Sequence, residues 1–313
     1  MTDALDPRLN AYRSDLADAR LSGVVEADAF VEGRKARVVA NVASVHEAPD
    51  EARDEAPGEA LASAATCTSE VLTGEDLLVF EEVDGWCWTQ NLIDGYTGYV
   101  RSDVLSFACD DWPSTEPTHL VAVPATYVFS QPNIKAPVVE TLYLNARLWL
   151  EPSGTDRFLK RHNGGFVLRD HMTVEAKQRS ASNLIKQYLA TPYLWGGRTH
   201  RGLDCSGLVQ TVLHAGGVDC LRDSDMQAAT VGAETDIAAD LVLAVRKARA
   251  LPELMADDLV FWPGHVGMMV DGETLVHANA FHMMVVAEPV RDAVARIASN
   301  GVIVSGVRRL SQS

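Results

Sequence analysis

Hydrophobic and polar positions along this chain follow two different rhythms. Residues 36 to 108 carry short alternating runs, the pattern of strands buried on one face: Val38 to Val45, Glu70 to Thr73, Leu77 to Glu82, Trp86 to Gln90 and Gly98 to Arg101, with Gly and Asp turns between them. Residues 118 to 174 repeat this plan more loosely. VAVPATYVFSQP parallels VVANVASVHEAP, and GGFVLRDHM parallels GYTGYVRSDVL. A linker, Pro113 to Pro117, separates the copies. The acidic stretch His46 to Ala60 interrupts the first copy and reads as a mobile insertion. Residues 1 to 35, with LNAYRSDLADARL, read as a short helical lead-in packed on a barrel.

The rhythm changes in residues 177 to 313. From Asp204 the spacing becomes helical, with Leu208, Val209, Val212 and Leu213 forming an apolar stripe that Gly216 and Gly217 stop. Val266 to Val270 and Thr274 to Asn279 then read as strands around Asp271-Gly272, and Pro263-Gly264 sets off the first. A helix followed by hairpins, behind two small β-rich segments, makes the fold class α+β.

This organisation places one cysteine, Cys205, in the first turn of a helix. Unpaired amides and the positive end of the helix dipole stabilise an anion there, which lowers a thiol pKa from its usual ~8.5. A nucleophile needs a base, and the hairpin supplies His265 and His277. Register decides whether they meet. With Asp271, Gly272 and Glu273 as a three-residue loop, His277 lies opposite Gly267 and on the same face as His265. A two-residue turn would put the two rings on opposite faces. The first arrangement makes His265 the base and His277 the residue that orients it. Cys67, Cys87, Cys109 and Cys220 read as small core residues.

Composition narrows the rest. At 313 residues with 47% hydrophobic positions the chain can bury several small cores. No apolar stretch is long enough to cross a membrane. The acidic start MTDALDPRLNAYRSDLADARL lacks the basic and apolar regions of a signal peptide, so the expected location is cytoplasmic. Five cysteines without a CxxC pair agree with a reducing compartment. No HExxH or zinc spacing is present, so neither a metal nor another cofactor is expected. A net charge of −16 argues against partners such as nucleic acid or an anionic membrane while leaving room for a small cationic group. Oligomeric state is not fixed by the sequence.

YLWGG, LDCSGLV, DDLVFW, GHVGMMV and LVHAN, spread over about residues 177 to 313, resemble the NlpC/P60 family of papain-like cysteine peptidases, which cleave bonds to D-glutamate in cell-wall peptides. The resemblance implies a papain-like catalytic domain in which the cysteine helix packs on a small antiparallel sheet. It also implies Cys205 as nucleophile, His265 as base, His277 as the third polar residue and Tyr193 near the oxyanion. GEDLLVFEEVDGWCWTQ with GYTGYVRSDVL is similar to bacterial SH3 domains, so two small SH3-like β-barrels are expected ahead of the catalytic domain, at 36 to 108 and 118 to 174.

The order SH3, SH3, NlpC/P60 resembles γ-D-glutamyl-L-diamino acid endopeptidases that recycle free murein peptides with an unblocked N-terminal L-alanine. Recognition of that amine asks for anionic groups and a blocking wall. Asp204 and Ser206 beside the nucleophile, with Glu70 and Tyr96 of the first barrel, are the residues that resemble the amine-binding set, and Tyr99 is the alternative to Tyr96. The implied chemistry is acyl transfer through a thioester, releasing L-Ala-D-Glu. Two other readings stay open: a murein endopeptidase anchored to intact wall by its SH3 domains, and a catalytically silent binding or scaffold protein.

Overall fold

The computed structural model describes residues 5–49, 66–107, 116–174 and 180–310. Two compact units divide the chain, residues 1–175 and 176–313.

In the first unit, alternating apolar residues turn seven antiparallel strands around one core. The strands run Arg34–Val38, Val42–His46, Cys67–Leu72, Asp76–Val83, Trp86–Asn91, Thr97–Arg101 and Leu105–Ser106. Val38, Val45, Val71, Leu77, Val79, Cys87 and Val100 fill the interior, each larger aliphatic side chain contributing ~1.5–3 kcal/mol by leaving water. Residues 119–173 form a five-stranded and a three-stranded sheet around Val121, Val128, Leu142, Leu148, Leu159 and Val167. The two segments end alike. Thr97–Arg101 leads through the 3-10 turn Ser102–Val104 to Leu105–Ser106, and Phe166–Leu168 leads through Arg169–His171 to Met172–Thr173. These are the stretches GYTGYVRSDVL and GGFVLRDHM, so the sequence parallel is a parallel of structure.

The expected helical lead-in is not helical. Within residues 5–35 the chain forms strands Leu16–Asp18 and Ala29–Val31, paired in parallel, and a 3-10 turn at Ala19–Leu21. Asp18 is the reason locally: its carboxylate accepts from both the Arg20 amide (2.9 Å) and the Arg20 guanidinium (2.7 Å), which ends any longer helical run. The backbone is drawn outward instead. Thr97 N–H donates to Arg8 O and Gln90 Nε2 to Leu9 O, both at 2.8 Å. Ala11, Leu16 and Val31 pack with Phe80 and Trp88, so the segment lies on the first sheet as extended chain. Of the acidic insertion, only residues 46–49 fall within the described residues.

The second unit is a six-stranded antiparallel sheet with helices. Its strands lie in the order Ala233–Glu234, Gly306–Arg309, Leu259–Trp262, His265–Met269, Thr274–Asn279 and Met284–Pro289. The helix Cys205–Ala215 rests on the two central hairpin strands. Asp204 caps its start, accepting from Gly207 N–H, a contact worth ~1 kcal/mol. Gly217, at φ +76°, turns the chain out of the helix while Val218 N–H closes on Leu213 O (2.9 Å). Leu208, Val209 and Val212 are fully buried, as the stripe predicts. Helices Ile237–Arg246 and Val290–Ser299 share a separate core with Val260, Trp262, Met269 and Leu275. Among the described residues, no helix is long and apolar enough to cross a membrane.

Candidate active site

Hairpin register settles the histidine pair. Met268 pairs with Val276 and Met269 with Leu275, and Val270 N–H donates to Thr274 O (2.9 Å), leaving Asp271, Gly272 and Glu273 as the loop. Asp271 fixes that loop by accepting from the amides of Glu273 (2.8 Å) and Thr274 (2.6 Å). One step further, the register sets Gly267 opposite His277. A Cβ on Gly267 would sit 2.9 Å from Leu275 and 3.1 Å from the His277 Cβ, so the glycine makes room for the rings. His265 Nε2 and His277 Nδ1 are 2.8 Å apart.

Cys205 opens its helix and is 8% exposed. The backbone groups of Val266 and Ser206 act on its sulfur to lower the thiol pKa. Val266 directly follows His265, so the thiol lies at the start of the base's strand. The motif glycines explain how the loop Leu194–Gly197 fits over this helix. A Cβ on Gly207 would meet Gly197 O at 2.2 Å, and one on Gly197 would meet Gly202 O at 2.3 Å.

The titration behaviour differs from a standing thiolate. Burial pushes the Cys205 thiol up to about 12, with the Asp204 carboxylate acting in the same direction, against the Val266 amide and Arg222. Burial likewise pushes His265 down to about 3, helped by His277. Both shifts favour an uncharged resting pair. The helix start still supplies amides, but in an enclosed site the loss of water outweighs them. An uncharged pair of this kind suits proton transfer in step with attack, the work of a general base. Tyr193 has its hydroxyl raised to about 12, by burial first and then by Cys205 and Asp204. It remains protonated and so a hydrogen-bond donor.

Two polar networks flank the pair, and both contain residues that sequence reasoning missed. On the helix side, Asp204 is 6% exposed and its oxygens accept from Gly207 N–H (2.6 Å), Gly196 N–H (2.9 Å), Arg222 Nη1 (3.1 Å), Arg222 Nη2 (2.6 Å) and the Ser206 hydroxyl (3.3 Å). Arg222, 1% exposed, also donates to Ser206 Oγ (2.8 Å). Asp204 thus does more than cap: it is the counter-ion of a buried arginine, which any ammonium approaching it would also meet. On the sheet side, His277 Nε2 lies 2.7 Å from Glu288 Oε1, and Arg296 donates to both Glu288 oxygens at 2.5 Å. Against burial, hydrogen bonds from His277 and Arg296 bring the Glu288 carboxyl down to about 2. The alternation of MVVAEP puts Glu288 on the face of His277, diagonal to it through the pair Leu275 and Glu288. That signal was present in the sequence, but it needs the register of a second hairpin to be read. Arg222 had no such periodic signal.

Glu70 and Tyr96 both lie in the first unit and are buried there, at 4% and 7% exposure. Glu70 pairs with Ser44 across two strands, and Tyr96 precedes the strand Thr97–Arg101 with its amide on Asp94 Oδ1 (3.0 Å). Tyr99 accepts from Arg13 Nη1 (2.7 Å). No group of three or more metal-ligating side chains occurs among the described residues.

Residues 190–299 match the NlpC/P60 family and residues 61–105 match the bacterial dipeptidyl-peptidase SH3 domain. The chain is 26% identical over 186 residues to a gamma-D-glutamyl-L-lysine dipeptidyl-peptidase of Bacillus cereus (strain ATCC 10987 / NRS 248), covering 53% of this chain and 56% of that protein. It is 25% identical over 235 residues to dipeptidyl-peptidase 6 of Lysinibacillus sphaericus, covering 69% and 81%. The match spans little more than half of the first relative's length. A crystal structure of an NlpC/P60 family protein from Bacillus cereus ATCC 10987 superimposes with a TM-score of 0.67 at 20% identity, over 88% of this chain and 99% of that one, and shows a shared fold. With the helix-borne cysteine set on the histidine hairpin, the chain carries an NlpC/P60 cysteine peptidase domain at residues 190–299, preceded by a bacterial dipeptidyl-peptidase SH3 domain at residues 61–105.

Proposed function

We propose that this peptidase hydrolyses the bond between the γ-carboxyl of D-glutamate and a diamino acid in free murein peptides, releasing L-Ala-D-Glu, and that it serves peptide recycling in the cytoplasm. The observation that carries the reading is the His265–His277 pair, 2.8 Å apart, on the two strands against which the helix opened by Cys205 is packed, in a chain similar to proteins named gamma-D-glutamyl-L-lysine dipeptidyl-peptidase.

The Cys205 sulfur attacks the γ-carbonyl as its proton passes to His265. The tetrahedral oxyanion takes hydrogen bonds from the Cys205 amide and the Tyr193 hydroxyl. His265 then protonates the departing amine, leaving a thioester on Cys205. Water, deprotonated by the same imidazole, attacks the thioester and restores the thiol.

Specificity for an unblocked L-alanine is assigned to Asp204, Ser206, Glu70 and Tyr96. Asp204 and Ser206 adjoin the nucleophile in sequence, and Glu70 and Tyr96 are the residues of the SH3 segment that resemble the amine-binding set. Mass spectrometry of L-Ala-γ-D-Glu-diamino acid incubated with the protein, beside its N-acetylated form and a Cys205→Ala control, tests the proposal. Release of L-Ala-D-Glu from the free peptide alone is expected. Equal cleavage of the blocked peptide would overturn the amine requirement in favour of a wall endopeptidase, and cleavage of neither would favour a binding protein.

A further inference from the structure

The base-side network holds two histidines, a carboxylate and an arginine in a line, and the identities of the bonding atoms determine where each proton must be. Glu288 is gripped through both oxygens by Arg296 (2.5 Å each), so the carboxylate is an acceptor only. The atom facing it, His277 Nε2, must therefore be the protonated nitrogen of that ring. A neutral His277 then has a bare Nδ1, which can only accept. Its partner, His265 Nε2, must carry the proton of the 2.8 Å bond between the rings. That leaves His265 Nδ1 bare, the ring nitrogen not engaged by His277 and the one that is free to remove a proton from sulfur.

We infer that Glu288, fixed by Arg296, is a positioning residue that sets the tautomers of His277 and His265 so that the base nitrogen reserved for Cys205 is unprotonated. The inference deepens the peptidase reading of this site and rests on Cys205, His265 and His277 as its reacting residues. It concerns a residue beyond the triad, acting through two rings at the far end of the strand Met284–Pro289.

Arg296 has a second part in the device. An unpaired carboxylate beside His277 would favour the imidazolium, and a doubly protonated His277 would donate from both nitrogens. His265 Nε2 would then have to accept, and the proton would sit on Nδ1, where it disables the base. The arginine's charge opposes this, as does burial, which lowers the His277 pKa. The charged and titratable groups around His277 are His265 on one neighbouring strand, Glu288 on the other, Arg296 from the helix Val290–Ser299, and His282 from the turn between strands. The Phe281 ring lies 4.7 Å from the guanidinium and limits where it can go.

Glu288→Gln distinguishes this role from simple packing because the amide has the same shape. Arg296 requires an acceptor, so the Gln oxygen turns toward it and the NH2 toward His277. Nε2 of His277 must then accept, the proton moves to its Nδ1, and His265 is forced into the Nδ1–H tautomer. A wrong tautomer of this kind in another hydrolase costs ~10⁴-fold in kcat. The expected loss here is ~10³-fold in kcat with KM changed by less than about threefold, since the group touches no substrate.

The test is ¹⁵N NMR of the full chain labelled at histidine, which assigns each ring's tautomer from its two nitrogen shifts and needs no substrate. In the unsubstituted protein both His265 and His277 are expected as Nε2–H; His265 found as Nδ1–H would overturn the inference even if no variant folds. In Glu288→Gln both rings should switch to Nδ1–H together with the loss of kcat on L-Ala-γ-D-Glu-diamino acid. Unchanged tautomers with a full kcat, or a switch without loss, would each overturn it. Should the peptide not be cleaved by the unsubstituted protein, the substrate assignment fails, and the spectrum still decides the tautomers.

Discussion

Cys205 stands between two carboxylate–arginine pairs that do opposite things. Asp204 has its oxygens filled by two amides, a hydroxyl and both terminal nitrogens of Arg222, in a setting where Asp204 and Arg222 are 6% and 1% exposed. Glu288 spends its oxygens on a more open Arg296, whose side chain is 21% exposed, and also bonds the histidine chain. The first pair is a clamp that holds the loop, the helix start and Ser206. The second has one bond to a titratable ring, so proton position can change there. The lesson is that proton positions beside an active site are fixed where every acceptor is held by a permanent donor, and can change where one of them serves a ring that titrates.

Several substitutions bear on that contrast. Cys205→Ala should abolish hydrolysis while leaving both networks intact, a loss of ~10⁴-fold or more by the behaviour of other covalent hydrolases, read by product formation at high enzyme concentration. Arg222→Met should strip Asp204 of its counter-ion and lower stability by ~3–5 kcal/mol, as expected for a broken buried pair, measured by urea unfolding. The same change at the more exposed Arg296 should cost only ~1 kcal/mol, the range of a partly solvated pair. Gly267→Ala sharpens the geometry. Its Cβ would press on Leu275 and His277, so a destabilisation of ~1–3 kcal/mol from overpacking is expected, with a fall in kcat and shifted His265 and His277 signals in the histidine spectra.

The pH dependence of stability gives the most specific signal. His265 titrates from 6.5 in the unfolded chain to about 3 when folded, and Cys205 from 9.0 to about 12. Both groups are neutral in both states between pH 6.5 and 9.0, so their contribution is level there. As pH falls below 6.5 the unfolded chain binds a proton that the folded His265 refuses, and stability declines toward about pH 3. Above 9.0 the unfolded thiol releases a proton that folded Cys205 keeps, and stability declines toward about pH 12. Unfolding free energies across this range should lose their alkaline component in Cys205→Ala and keep the acid one. An unchanged alkaline limb would show that the thiol is not the group held neutral.

Much of this site is legible in the sequence because local patterns fix it. The Leu208, Val209, Val212 stripe with its Asp204 start and Gly216-Gly217 stop defines the helix that carries Cys205, and loop length with Asp271 defines the register that joins His265 and His277. Gly197 of YLWGG and Gly207 of DCSG are required by close backbone approaches, and Gly267 of GHVG by the Leu275 and His277 side chains, reasons that motif recognition detects without explaining. Glu288, Arg296 and Arg222 were not legible to the same degree. Their partners lie across a second hairpin, on the following helix, or on a segment joined to Asp204 only by tertiary packing, and charged residues at such positions look like ordinary surface in a linear reading. The lead-in failed for a related reason: its spacing suits a helix, but Asp18, Gln90 and Thr97 offered its backbone better partners.

The contrast between clamp and relay is tested most directly by measuring thermal unfolding and kcat on the same preparations of Arg222→Met and Glu288→Gln, with L-Ala-γ-D-Glu-diamino acid as substrate. The account predicts that Arg222→Met lowers Tm by about 10 °C or more, as a loss of several kcal/mol does in a unit of this size, while Glu288→Gln changes Tm by only a few degrees and lowers kcat ~10³-fold. A Glu288→Gln protein that keeps its kcat, or an Arg222→Met protein that keeps its Tm, would contradict it.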